Sequence, residues 1–157
     1  MEWLWIIVIV MALIGSLTWV LPSPSERLQG KRRSEALTLG LRVRIMTLES
    51  WVAERMGLER IAQYLLRCEV RPRPFALWRI ADREESWVSP PKSASWDLLR
   101  TPMQQILDAL PEHVVGVGAE GQVVWLAWDD AKPGLEPDAI RVILQHIAEA
   151  VGAANRA

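Results

Sequence analysis

The feature that most constrains this chain is an uncharged apolar run near its N-terminus. Residues 3–21, WLWIIVIVMALIGSLTWVL, contain no Asp, Glu, Lys or Arg. A helix over these 19 residues rises roughly 28 Å at ~1.5 Å per residue, close to the thickness of the hydrocarbon layer of a bilayer. Pro22 and Pro24 then favour a helix end, because proline donates no backbone hydrogen bond. The run therefore predicts a single transmembrane helix.

The charges that flank this run predict its orientation. Only Glu2 is charged before it, whereas basic residues follow it closely. Because Lys and Arg favour the cytoplasmic side, we expect the N-terminus outside and residues 22–157 in the cytoplasm of a bacterial inner membrane. A cleaved signal peptide is the alternative, but the basic start and small-residue cleavage site typical of one are missing from the sequence. The expected membrane-interface residues are Trp3, Trp5, Trp19, Arg27, Lys31, Arg32 and Arg33.

The overall charge and the cysteine content exclude some partners and bonds. The formal net charge is −1, so no general attraction to nucleic acid is expected. Cys68 is the only cysteine, which rules out an intramolecular disulfide and fits a reducing compartment. The expected partners are the lipid bilayer and other membrane proteins.

The rest of the chain predicts a small α+β domain. The expected architecture is a mostly antiparallel sheet with two helices packed on one face, following the single transmembrane helix. Alternating apolar residues predict strands in LRVRIMTL and in FALWRIAD, while residues 48–67 fit either one helix or a helix followed by a strand. The predicted divisions are a short N-terminal tail (1–2), the transmembrane helix (3–21), a basic juxtamembrane helix or linker (22–40), the cytoplasmic domain (41–152) and a C-terminal tail (153–157).

Two helices are predicted near the C-terminus. Thr101 is suited to be the N-cap of the first, with Pro102 in its first turn and Gln104 completing a capping box. The second is predicted from Pro137, because Ile140 and the apolar residues that follow it at helical spacing share one face.

Three glycines, Gly116, Gly118 and Gly121, have the G-x-G-x-x-G spacing of a dinucleotide-binding loop. Such a loop requires a helix that opens at the third glycine and directs its free amides at the phosphates. The residues that follow here, QVVWLAW, are instead rich in strand formers. We therefore expect a β-hairpin, with Gly121 supplying the positive φ of the turn.

Two sets of residues are candidates for a partner surface. The second hairpin strand is apolar on both faces, so it is either covered on both sides or presents one face to a partner. Arginines on other predicted strands should share the solvent-facing side of the sheet, where an acidic or anionic partner could bind. The candidate residues are Arg42, Arg44, Arg67, Arg79, Val124, Leu126 and Trp128.

The sequence offers no constellation that indicates catalysis, a cofactor or a metal. His146 and Glu149 lie one helical turn apart, but no third metal ligand is identifiable. Asp129 and Asp130 follow a predicted strand and are typical of a solvated turn. Cys68 is expected in the core. We therefore expect no catalytic residue, no cofactor and no metal.

These observations favour a non-enzymatic scaffold, assembly or regulatory subunit of a membrane complex. A membrane-tethered nucleotide- or anion-binding domain, and with it an enzyme, is the alternative. The order of an N-terminal span and a small domain also resembles, in topology alone, the small accessory subunits of bacterial protein translocases. This resemblance rests on no shared motif and assigns no role to any residue.

Overall fold

A computed structural model describes residues 2–20, 23–80, 87–90 and 96–154 of the chain. This part of the chain contains five helices and six strands. The helices are α1 (Glu2–Val20), α2 (Pro24–Thr38), α3 (Ser50–Met56), α4 (Trp96–Ala109) and α5 (Pro137–Ala154). The strands are β1 (Arg42–Thr47), β2 (Arg60–Arg67), β3 (Phe75–Arg79), β4 (Trp87–Val88), β5 (Val114–Glu120) and β6 (Val123–Trp128).

The six strands form one antiparallel sheet in the order β1-β2-β6-β5-β3-β4. Helices α2, α4 and α5 cover one face, where their apolar side chains join those of Tyr64, Leu126 and Trp128 in the main core. The short helix α3 covers part of the opposite face, where Val52 packs with Trp125 in a second cluster. The predicted α+β sheet is confirmed, although three helices rather than two pack on its main face.

The predicted transmembrane helix is wrong. Helix α1 does form, but no helix in the described part of the chain is both long enough and apolar enough to cross a membrane. The prediction of a single-pass inner-membrane protein, with its N-terminus outside and residues 22–157 in the cytoplasm, is therefore wrong as well.

Residues 48–67 form a helix followed by a strand, which settles the ambiguity of that stretch. Helix α3 ends at Gly57, whose φ of +64° reverses the chain into β2. A left-handed conformation of this kind costs glycine little, whereas a side chain would strain it.

Helix α5 begins at Pro137 as predicted, but α4 begins at Trp96, five residues before the predicted cap at Thr101. Leu99 and Met103, one turn apart, are both fully buried. The apolar stripe therefore extends one turn further toward the N-terminus than the capping box indicates, and its burial outweighs the cost of Pro102 inside the helix.

The three glycines lie in a hairpin between β5 and β6, as predicted. Residues 114–120 pair with residues 123–128, and Gly121 at the turn has φ +62°. Strand β6 lies between β2 and β5 and is covered on both faces, so its two apolar faces both belong to the core.

Candidate interaction surfaces

Helix α1 is the largest exposed apolar element that the structure describes. Trp3 and Trp5 are 79% and 70% exposed, and every described side chain from residue 3 to residue 15 is exposed. The side chain of Trp19, the third predicted interfacial tryptophan, lies outside the described residues. A contiguous exposed apolar surface of this extent is uncommon on folded chains.

Helix α2 is packed on the domain and does not act as a free linker. Ser23 caps it in a reciprocal capping box with Glu26, which lowers the pKa of that carboxyl through hydrogen bonds from the Ser23 backbone and hydroxyl. Ala36, near the other end, is fully buried against the core. Gly40 then turns the chain into β1 with φ +79°.

The basic cluster of α2 splits between the surface and the interior. Lys31 is exposed and pairs with Glu35 at 3.6 Å. Arg32 is 5% exposed; its Nη1 donates to the carbonyls of Asp130 and Lys132 at 3.1 and 2.9 Å, and its guanidinium lies over the Trp128 ring. Arg32 is therefore held inside the protein, where no lipid headgroup can reach it.

Arg33 forms a bidentate contact between α2 and the loop that follows β6. Its Nε and Nη2 donate to the two carboxylate oxygens of Asp130 at 2.6 and 3.0 Å, a bidentate geometry that fixes direction as well as charge. The Tyr64 hydroxyl donates to the same carboxylate at 3.4 Å. Arg32, Arg33, Tyr64 and Asp130 together form what we call the arginine anchor.

Electrostatics within the arginine anchor follow from burial and from these contacts. The hydrogen bond to Asp130 is the main cause that raises the pKa of Arg33, so this guanidinium stays charged. Burial, aided by the nearby Asp130 charge, raises the pKa of Tyr64, so its hydroxyl keeps its proton. Both effects keep the donors of the anchor in their hydrogen-bonding forms.

Sequence reasoning missed the role of Asp130. It interpreted the Asp129-Asp130 pair as a solvated turn, but only Asp129 fits that description, since Asp130 is 5% exposed. The usable signal was position, because Asp130 lies two residues after the end of the buried strand β6.

The sheet arginines divide between the two faces. Register places Arg42, Arg44 and Arg67 on the face opposite the main helices, as predicted. Arg79 lies on the other face, where it donates to the carbonyls of Pro111 and Leu110 at 2.7 and 3.0 Å and stacks over Trp87. Its burial lowers its pKa, an effect that Glu112 partly offsets. The prediction that Arg79 faces solvent beside the other three is wrong, because β3 is covered on both faces and alternation there does not separate core from solvent.

The apolar hairpin candidates belong to the core. Val124, Leu126 and Trp128 are each fully buried beneath the helices that cover the main face. They contribute to folding and are not exposed for a partner.

The glycine stretch accommodates tryptophan rings. A Cβ on Gly116 would lie 2.5 Å from the Trp78 ring, and one on Gly118 would lie 2.4 Å from the Trp125 ring. The two indoles lie on the glycine backbone with their centroids 5.5 Å apart. Because β6 follows the third glycine, no helix N-terminus is directed at this stretch, and the geometry of a dinucleotide loop is missing from it.

The remaining reactive side chains are dispersed. His146 lies exposed on α5, and among the described residues no three His, Cys, Asp or Glu side chains group as metal ligands. Cys68 is partly buried against the main core, and this burial raises the pKa of its thiol. A raised thiol pKa disfavours the reactive thiolate at neutral pH.

No protein family, curated protein or solved structure with which this chain was compared matches it.

Proposed function

We propose that this chain is a non-enzymatic assembly or regulatory subunit that attaches to a larger complex through helix α1. One observation carries the proposal: the described side chains of α1 are apolar around the whole helix and exposed. Water is a poor environment for such a surface, and burying it gains about 25 cal/mol for each Å² removed from solvent.

The completeness of the domain core supports this role for α1. The two clusters that hold the sheet draw on α2, α3, α4 and α5, and none of the described side chains of α1, residues 3–15, belongs to either. The apolar surface of α1 is therefore available for something outside the domain. The lipid bilayer and apolar helices of other membrane proteins are the partners expected from the sequence.

The arginine anchor supports a regulatory or scaffolding arrangement. It ties α2, the next helix along the chain, to Asp130, two residues beyond the central strand β6, through buried and partly buried hydrogen bonds. A helix held in this way gives a fixed point from which an attached domain can be presented to its complex.

The test compares two polar replacements at exposed apolar positions. Ile9→Gln on α1 should reduce co-purification of the full chain with its complex in mild detergent, because a polar side chain enters the proposed contact. Val142→Gln on α5, a position exposed to a similar degree (48% against 57%), is the matched control. Equal co-purification of both variants and the unaltered chain would overturn the proposal.

A second measurement separates the two expected partners. Flotation of the purified chain with phospholipid vesicles that contain no protein measures the lipid contribution alone. Loss of flotation on Ile9→Gln would assign α1 to lipid, whereas co-purification without flotation would assign it to a partner protein.

A further inference from the structure

Strand β1 leaves one edge of the sheet open. It pairs with β2 on one side only and is last in the strand order. Its register is continuous from Arg42, opposite Leu65, to Thr47, opposite Arg60, without a bulge. A regular strand edge of this kind is a template for a further strand.

The outward backbone groups of β1 can be assigned from one hydrogen bond. The Leu48 N–H donates to the Glu59 carbonyl at 3.0 Å, toward β2. Because N–H and C=O groups alternate in direction along an antiparallel strand, those of Val43, Ile45 and Thr47 point away from the sheet. No backbone hydrogen bond links these outward groups to another described residue outside the sheet.

The side chains at this edge are basic on one face and apolar on the other. Arg42 and Arg44 are exposed on the face opposite the main helices, while Ile45 on the helix face is 49% exposed. Arg44 donates to Gln63 and lies 3.7 Å from Glu120 across an exposed, and therefore weak, ion pair. Arg42 has no ion pair or side-chain hydrogen bond with any described residue.

A shallow recess next to Arg42 is also lined by Arg67, a second arginine without an ion pair to any described residue. It measures about 260 Å³ and is bounded by Arg42 and Arg67 on neighbouring strands, with Gly40, Leu65, Gln122 and Val123. Arg67 is exposed and, within the described ranges, is likewise without an ion pair. Two exposed guanidinium groups on one recess favour carboxylates as ligands.

We propose that the outer edge of β1 binds an acidic, extended segment of a partner protein as a seventh strand. Its backbone would hydrogen-bond to Val43, Ile45 and Thr47. Its acidic side chains would lie beside the arginines of one face and its apolar side chains beside Val43 and Ile45 on the other. The occupant is thus a segment that alternates acidic and apolar residues.

Charge decides against a second copy of this chain as the occupant. Opposed residues of an antiparallel pair point to the same face of the sheet. A second β1 would therefore place its own Arg42 and Arg44 on the face that already carries these two residues. Four arginines would then share one face of the paired strands, offset only by the exposed ion pair of each Arg44 with Glu120, and like charges on facing strands destabilise such pairing.

The opposite edge of the sheet makes a protective role for the arginines the weaker explanation. Charged side chains on an edge strand can themselves be protective, but proteins also commonly protect an edge by shortening the strand, by a bulge or by proline. Strand β4, at the other edge, is two residues long, whereas β1 is regular, six residues long and free of proline. The structure thus leaves open the longer of the two edges, and that edge carries the charges.

The test measures binding of a fluorescently labelled peptide that alternates glutamate and valine to the full chain in mild detergent. We expect binding that weakens with added salt, because exposed charges are screened. Arg42→Glu combined with Arg44→Glu should weaken it at least about tenfold and should create binding of a matched lysine–valine peptide. Equal binding of the glutamate peptide to this variant, or no binding to the unaltered chain, would overturn the proposal.

A second pair of variants tests the backbone contact. Ile45→Pro removes one outward N–H without removing a hydrogen bond to β2, and proline is tolerated at a sheet edge. This variant should lose peptide binding at least about tenfold, whereas Ile45→Thr, which keeps the N–H, should lose less. Retained binding in a folded Ile45→Pro protein would refute strand addition. Ile9→Gln on α1 should leave peptide binding unchanged, so this test and that of the proposed attachment through α1 can fail separately.

Discussion

Helices α1 and α5 are nearly equal in length, 19 and 18 residues, yet they lie in opposite environments. Helix α5 has its apolar residues on one face, where Ile140, Leu144 and Ile147 are fully buried against the sheet. Helix α1 is apolar all round, and its described side chains are exposed. One sheet can cover only one face of a helix. The arrangement of apolar residues, rather than their number, therefore decides whether a helix is buried in its own domain.

Truncating a buried side chain of α5 should cost far more stability than truncating an exposed side chain of α1. Leu144→Ala on α5 should lower the free energy of unfolding by about 3 kcal/mol, because it removes fully buried atoms and leaves a cavity. Ile9→Ala on α1, where the side chain is exposed, should change it by less than about 0.5 kcal/mol. Denaturant unfolding of the domain followed by tryptophan fluorescence measures both. A comparable loss in the two variants would show that α1 packs within the folded protein.

The next effect tests whether α2 belongs with the packed helices. Asp130→Ala should cost about 2 kcal/mol, because it removes the acceptor of charged hydrogen bonds from Arg33 and leaves buried donors unsatisfied. Asp129→Ala, at the adjacent position, should cost less than about 0.5 kcal/mol. Combining Asp130→Ala with Arg33→Ala in a double-mutant cycle isolates the pair. Additive losses would indicate that the two side chains do not interact.

A smaller loss of stability is expected from adding a methyl group to a glycine of the sheet, and none from adding one to a glycine of α1. Gly118→Ala should destabilise the protein by about 1–2 kcal/mol, because the new Cβ would lie 2.4 Å from the Phe75 carbonyl oxygen and from the Trp125 ring. Gly15→Ala in α1 should not destabilise it, because a Cβ there meets no atom within 4 Å. Thermal melts followed by circular dichroism provide the measurement. Full stability of Gly118→Ala would contradict the close packing of the indoles on β5.

The smallest expected effect is a pH dependence from Tyr64. The raised pKa of this group in the folded protein means that its contribution to stability is complete below pH ~10, where the unfolded tyrosine also keeps its proton, and is lost as the pH rises above that value. At pH 11 the loss is about 1 kcal/mol. Tyr64→Phe should lose correspondingly less stability between pH 9 and pH 11, as measured by denaturant unfolding at the two pH values. An equal loss in both proteins would show that Tyr64 is not the source.

Much of the fold could be predicted because local patterns and tertiary packing agree. The stripe of α5, the turn at Gly121, the alternation of β1 and the strand-forming residues of β6 each predicted the element that forms. Prediction was wrong where tertiary packing overrode a local signal. Thr101 has the chemistry of a helix cap, but burial of Leu99 extends α4 past it.

The candidate sites were less predictable, because they depend on contacts between distant parts of the chain. The bond between Arg33 and Asp130 joins residues 97 positions apart, and no spacing rule indicates it. The predicted position of Arg79 was wrong because β3 is buried on both faces, so alternation along this strand could not distinguish a core-facing side chain from a solvent-facing one. The open edge of β1 likewise depends on strand order, which the sequence alone does not reveal.

The close approach of Trp78 and Trp125 over the glycine backbone has an optical consequence. Two indoles tilted by 40° at this separation couple their electronic transitions, and such coupling splits an absorption band into two circular dichroism signals of opposite sign. Because β3 and β6 each supply one ring, this couplet reports the assembled centre of the sheet and should vanish as soon as these strands separate, even while the helices persist.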